Sequence, residues 1–203
     1  MELELYEDSV ERLPKTGQVI LAAQSETSIT VYQAYRPAIA KYAAQNQQFG
    51  GEYSFSRMSW IKPNFLWMMY RSGWAVKEGQ EHILAITIAK TNFDKILEQA
   101  VHSSFNSKLY ETNELWKQRM EQADVRLQWD PDHDPYGNKL ERRAIQLGLK
   151  GDILKSYGTI WVEQIADITE FVNEQRKHVE NKELNKLQVP YETIYTPAKH
   201  INL

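Results

Sequence analysis

Twice in this chain an alternating, extended segment meets a proline and emerges as a helix. In ITVYQAYRPAIAKYAAQ the apolar spacing changes at Pro37 from every second residue to every third or fourth, and RMSWIKPNFLWMMYRSGW repeats the change at Pro63. Proline has no N–H to give to a ladder or a helix interior but suits the first position of a helix. Each proline therefore predicts a strand-to-helix junction.

The rest of the chain follows the same punctuation. Residues 29–35 read as a strand and residues 38–48 as a helix closed by Gly50-Gly51. Phe65 to Tyr70 is apolar all round, which predicts a helix buried on most sides, with Gly73 as its C-cap. EHILAITIA (81–89) reads as a strand, and residues 91–101 as a helix with Thr91 or Asn92 as N-cap and Phe93, Ile96, Leu97 and Ala100 on one face. Residues 103–123 form a polar connection with a short helix near 114–122. Residues 125–129 and 143–149 read as strands joined by the loop DPDHDPYGNKLE. A short helix at 151–157, a strand at 159–168 and a charged amphipathic helix from 169 to about 183 follow. VPYETIYTP adds an edge strand. Strands and helices mix without a regular βαβ repeat, so the expected class is α+β with a mostly antiparallel sheet.

At 203 residues, one domain over residues 29–203 is expected, with residues 1–28 a polar, irregular arm that turns at Pro14-Lys15-Thr16-Gly17 and packs on the domain. A hydrophobic share of 42% and a charged share of 25% are those of a folded globule. The net charge of -3 argues against a broad basic face gripping nucleic acid, and leaves room for a local basic pocket. Cysteine is absent, which excludes disulfides and thiolate metal sites. The start, MELELYEDSVERL, is unlike a signal or transit peptide, and the longest apolar run, FLWMMY, falls short of the roughly 18 residues of a membrane span. A cytoplasmic protein without membrane attachment is expected.

Arg36 is the residue that asks for an explanation. The proline after it holds it extended, one residue before a helix whose N-terminus is the positive end of a dipole. An anion would answer both charges, meeting free N–H groups and the guanidinium together. Lys62 repeats the placement before Pro63, with Arg57 and Arg71 nearby, so two phosphates or a pyrophosphate would suit these positions if the fold unites them. The alternative is that Arg36 and Lys62 each pair with an Asp or Glu of the chain itself. Aromatic side chains crowd the region: Tyr32, Gln33 and Tyr35 at a strand end are candidate ligand contacts, whereas Trp67 and its flanking methionines suit core packing.

The loop from Asp130 to Glu141 has carboxylates at the spacing of a calcium loop, but Pro135 stands where the sharp turn requires glycine, and its flanks read as strands. It is expected to be a solvated, metal-free hairpin loop. The histidines at 82, 102, 133, 178 and 200 show no ligand spacing, and no phosphate-loop, dinucleotide, zinc-protease or serine-hydrolase signature occurs.

VYQAYRPAIA, RMSWIKPNFLWMMYRSGW, VRLQWDP and AIQLGLKG together look like the blocks of an uncharacterised family of bacterial and fungal proteins, a domain of unknown function. That resemblance spans most of residues 20–172 and implies kinship without an activity. The layout also resembles, more weakly, the ADP-ribosyltransferase and RNA 2′-phosphotransferase superfamily. On that resemblance Arg36 would grip the pyrophosphate of NAD, Tyr70 or Trp67 would stack near nicotinamide, and Glu163 in TIWVEQIADIT would stabilise an oxocarbenium-like state during transfer to a protein or nucleic-acid target such as an RNA end. The superfamily's Ser-Thr-Ser strand and paired acidic motif are not seen, because Gln164, next to Glu163, falls on the opposite face of a strand. Two other classes compete: a non-catalytic module binding a nucleotide or phosphate through Arg36 and Lys62, and an interaction domain whose aromatic cluster is only core.

Overall fold

A computed structural model describes residues 1–199 and 201, and the first 28 of them are more ordered than their composition suggests. They carry β1 (Leu3–Leu5), α1 (Tyr6–Arg12) and β2 (Leu21–Ala22). The ordering comes from the far end of the chain: β1 pairs antiparallel with β10 (Gln188–Pro190), and β2 with β11 (Thr193–Ile194). Leu13, Ile20, Leu21 and Ala22 are buried by that closure.

Between these ends run β3 (Ser28–Tyr35), α2 (Pro37–Asn46), β4 (Ser59–Ile61), α3 (Phe65–Ser72), β5 (His82–Ala89), α4 (Lys90–Glu98), β6 (Ala100–His102), α5 (Asn113–Gln122), β7 (Val125–His133), β8 (Lys139–Leu149), α6 (Gly151–Thr159), β9 (Val162–Asp167) and α7 (Thr169–Glu180). β3, β5 and β9 form one antiparallel sheet in the order β3-β5-β9. The second sheet has the order β4-β8-β7-β6, antiparallel except for the parallel pair β6-β7. This is an α+β fold with mostly antiparallel sheets.

An isolated backbone bridge links the two sheets. Tyr32 N–H donates to the Lys62 carbonyl at 2.7 Å, and Lys62 N–H donates back to the Tyr32 carbonyl at 3.2 Å. Strand alternation then gives the central sheet two apolar faces. Ile29, Val31, Leu84, Ile86 and Ile88 face the second sheet and α6, packing with Leu127, Leu147, Leu154 and Tyr157. Tyr32, Ile83 and Ala85 face α3 and α7, packing with Phe65, Met68, Met69 and Val172.

Helix α3 shows how local chemistry sets an element. Phe65, Leu66, Trp67, Met68, Met69 and Ser72 are buried, as an all-round apolar helix must be. Gly73 closes it at φ 58°, where a side chain would be strained, with Gly73 N–H donating to Tyr70 O and Trp74 N–H to Met69 O. The start differs from the expectation: Asn64 is the N-cap, its side chain accepting from Trp67 N–H at 2.7 Å, so Pro63 stands one residue outside the helix.

Other boundaries shift for similar reasons. α2 is closed by Gln47 in the left-handed conformation at φ 53°, not by the glycine pair. Its amide is held in that turn by the backbone of Ile165, accepting from the N–H and donating to the carbonyl, both at 2.9 Å. α4 begins at Lys90 with no side-chain cap, and residues 100–102 leave it to become β6. The largest correction is the loop from Asp130 to Glu141. β7 runs on through Pro131 to His133, and β8 starts at Lys139, so only residues 134–138 turn. Asp132 and His133 are 1% and 2% exposed rather than solvated. Asp132 accepts from Arg142 Nε at 2.5 Å, and His133 stacks beneath Tyr70 at 3.6 Å between ring centres. His200 lies outside the described residues.

Candidate functional site

Where β3 leaves the sheet junction, its inward side chains become polar. Gln33, 2% exposed, donates from Nε2 to Tyr35 Oη and Ser59 Oγ, each at 2.8 Å, and accepts from Tyr157 Oη at 2.9 Å. Tyr35 Oη and Ser59 Oγ also share a hydrogen bond at 2.8 Å. Burial raises the Tyr35 and Tyr157 hydroxyls well above the ordinary phenol range, so both stay protonated. This network fixes the floor of a cleft with two adjoining cavities.

The inner cavity, about 220 Å³, is lined by Tyr35, Ser59, Trp60, Lys62, Met68 and Arg71 among others. The outer one, about 370 Å³, shares Tyr35, Met58 and Ser59 with it and adds Arg36, Glu52 and Arg57. Thus two cations line each of two neighbouring cavities, Lys62 and Arg71 the inner one and Arg36 and Arg57 the outer. Lys62 is the unusual one. It is 5% exposed, and among the described residues it takes part in no ion pair. Burial pushes its ammonium down to about 7, helped by Arg71 and opposed by Asp130. Asp130 is itself engaged, accepting from the Gln128 and Gln146 amides at 2.8 and 2.7 Å.

Residues 19–195 match the family described as domain of unknown function (DUF4291). The chain belongs to that family. The matched range takes in β2 through β11 and all four cations, and leaves β1 and α1 outside. No curated protein matches the chain.

Within this DUF4291 domain the candidate residues fall into three groups. Arg36, Arg57, Lys62 and Arg71 are brought together with Gln33 and Tyr35 along the cleft. Arg36 has an internal partner, Glu52, at 2.5 Å, but both side chains are more than half exposed. Such a pair contributes only about 0–1 kcal/mol and is readily exchanged. Tyr32, Trp67 and Tyr70 line neither cavity. Tyr32 packs edge-on against Phe65, while Trp67 and Tyr70 stack with His133, at 5.1 and 3.6 Å. Glu163 is apart from the others: Ile88 pairs with Val162 and Thr87 with Gln164, which leaves Glu163 as the extra, exposed residue of a β-bulge on β9.

The free N–H groups beyond Pro63 are met by a carboxyl group of the chain itself. Glu192, 5% exposed, accepts from Phe65 N–H at 2.6 Å and from the Asn64 amide at 3.0 Å, at the positive end of α3. Burial pushes its carboxyl up to about 8, against the Phe65 hydrogen bond, which pulls it down. Its partners lie some 127 residues away, and nothing local in TPAKH or VPYET signals the contact. Ser59 and Trp60, which also line the inner cavity, precede Lys62 in SWIKP without a motif that marks them. Among the described residues no group of three or more His, Asp or Glu could hold a metal ion.

A further cavity, about 270 Å³, lies on the outer face of the central sheet over Ser28, Thr30, Ala85 and Thr87. Among the described residues, Glu2 is the one charged side chain that lines it.

Proposed function

We propose that the cleft binds a small anionic ligand of the cytoplasm, a nucleotide or another phosphate-bearing molecule, as a binding module. One observation carries this reading: Lys62 is a buried amine without a carboxylate partner among the described residues, held in a cavity beside a second cation. Burying an unpaired charge is costly, and an anion arriving between Lys62 and Arg71 would relieve that cost. A second phosphate would find Arg36 and Arg57 in the outer cavity, at the small expense of the Arg36–Glu52 pair.

NAD use by an ADP-ribosyltransferase-like enzyme is the second reading, favoured by two adjoining cationic cavities that suit a pyrophosphate. It lacks support at the acid, since Glu163 lines neither cavity. Thermal melts with ADP, NAD, ADP-ribose and 5′-phosphorylated RNA test both readings. The expected outcome is a stabilising shift with at least one of these and no nicotinamide release from NAD. Arg71→Ala should weaken binding by about 1.4 kcal/mol, roughly tenfold in Kd. Arg36→Ala should weaken it less, because Glu52 already competes for its guanidinium, and should melt close to the wild type. Absence of any shift across the panel overturns the binding reading; nicotinamide release would favour the transferase.

A further inference from the structure

Among the four cations of the cleft, Lys62 alone can become a nucleophile, because guanidinium groups stay charged at any physiological pH. We propose that Lys62 forms an imine with a phosphate-bearing aldehyde or ketone, such as the open-chain form of a sugar phosphate, whose phosphate is held by Arg71. The inference rests on the anion-binding reading and names the chemical class of the ligand.

Three observations converge on it. Lys62 is nearly buried, makes no ion pair among the described residues, and lines a cavity of about 220 Å³ large enough for a small molecule. The backbone of Lys62 is pinned at both N–H and C=O by Tyr32, so the amine is presented from a fixed root. The hydroxyls of Tyr35 and Ser59, hydrogen-bonded to one another and to Gln33, line the same cavity as proton carriers. The amine's lowered proton affinity is consistent with this arrangement, since about half of it would be free base near neutrality. Desolvation and a neighbouring cation are the usual means of activating an amine in this way.

The chemistry balances without an oxidant or reductant. The Nζ lone pair adds to the carbonyl carbon, and the carbonyl oxygen takes up a proton. The resulting carbinolamine then expels that oxygen as water, carrying away both amine protons. The C=O bond is exchanged for C=N, and one water is released.

The test uses the full chain with ribose 5-phosphate and ADP-ribose as carbonyl probes, ADP as a ligand without a free carbonyl, and cyanoborohydride to reduce any imine to a stable amine. Intact mass and peptide mapping then read the site. One equivalent on Lys62 is expected at neutral pH, faster than on exposed lysines by roughly tenfold or more, and slowed by ADP. Lys62→Arg should lose the adduct, and the response to ADP is read on the wild-type chain. Lys62→Met serves if the arginine is not accommodated, and the wild-type map decides the question in any case. An ADP shift with no adduct on Lys62 overturns the imine and leaves the binding reading standing. Adducts scattered over surface lysines also overturn it, and neither shift nor adduct removes both readings.

Discussion

Lys62 and Glu192 flank the start of α3, and burial acts on them in opposite senses. Free in the unfolded chain, Glu192 gives up its proton near 4.5; folded, it keeps the proton up to about 8. Its contribution to stability is therefore fully present below about 4.5 and is lost as pH rises through 8. Lys62 behaves oppositely, because the unfolded chain holds its proton to 10.5 and the folded chain releases it near 7, so stability rises across that interval. Together they predict a shallow minimum between about 7 and 8 in a plot of urea midpoint against pH. Glu192→Gln should remove the falling limb and Lys62→Met the rising one; a Glu192→Gln curve that still falls between 4.5 and 8 contradicts the assignment. Glu192→Ala should instead cost about 1–3 kcal/mol, since it strands the Phe65 N–H and the Asn64 amide. Lys62 was legible in the sequence through its place before Pro63. Glu192 was not, because an acid that caps a helix from another part of the chain leaves no local trace.

At the level of elements, local patterns succeeded where the chain's own period decides the outcome. β3, α3 and β5 fall where alternation and helical spacing put them, within a residue or two. The β7-β8 hairpin shows where such reading stops. Its prolines and acids resemble a loop, yet Pro131 sits in the ladder opposite Arg143, and the acid beside it is neutralised by Arg142, 8% exposed. Burial lowers the proton affinity of His133, whose uncharged ring then suits its stack with Trp67 and Tyr70. The charge pattern was read without its partner ten residues on. Asp132→Ala should therefore act on folding: about 3–5 kcal/mol of stability lost through a stranded Arg142. Chemical denaturation checks this, and a variant as stable as the wild type would return the segment to the status of a free loop.

For the whole molecule, the class was readable because strands and helices alternate irregularly, whereas the closure of the two ends was not. Pairing of β1 with β10 and of β2 with β11 joins segments that are over 160 residues apart, and short strands of two or three residues carry no period to detect. Likewise the cleft depends on a junction that no segment specifies alone, the pair of reciprocal hydrogen bonds between Tyr32 and Lys62. That junction makes the residue that enters the cavity also the rivet between two sheets. A ligand held by the Lys62 side chain would act on the backbone of both and should stiffen their mutual angle. The amides of Tyr32 and Lys62 should accordingly be among the slowest to exchange with deuterium, and slower still when the cleft is filled, while those of the hairpin turn at residues 134–138 should not change.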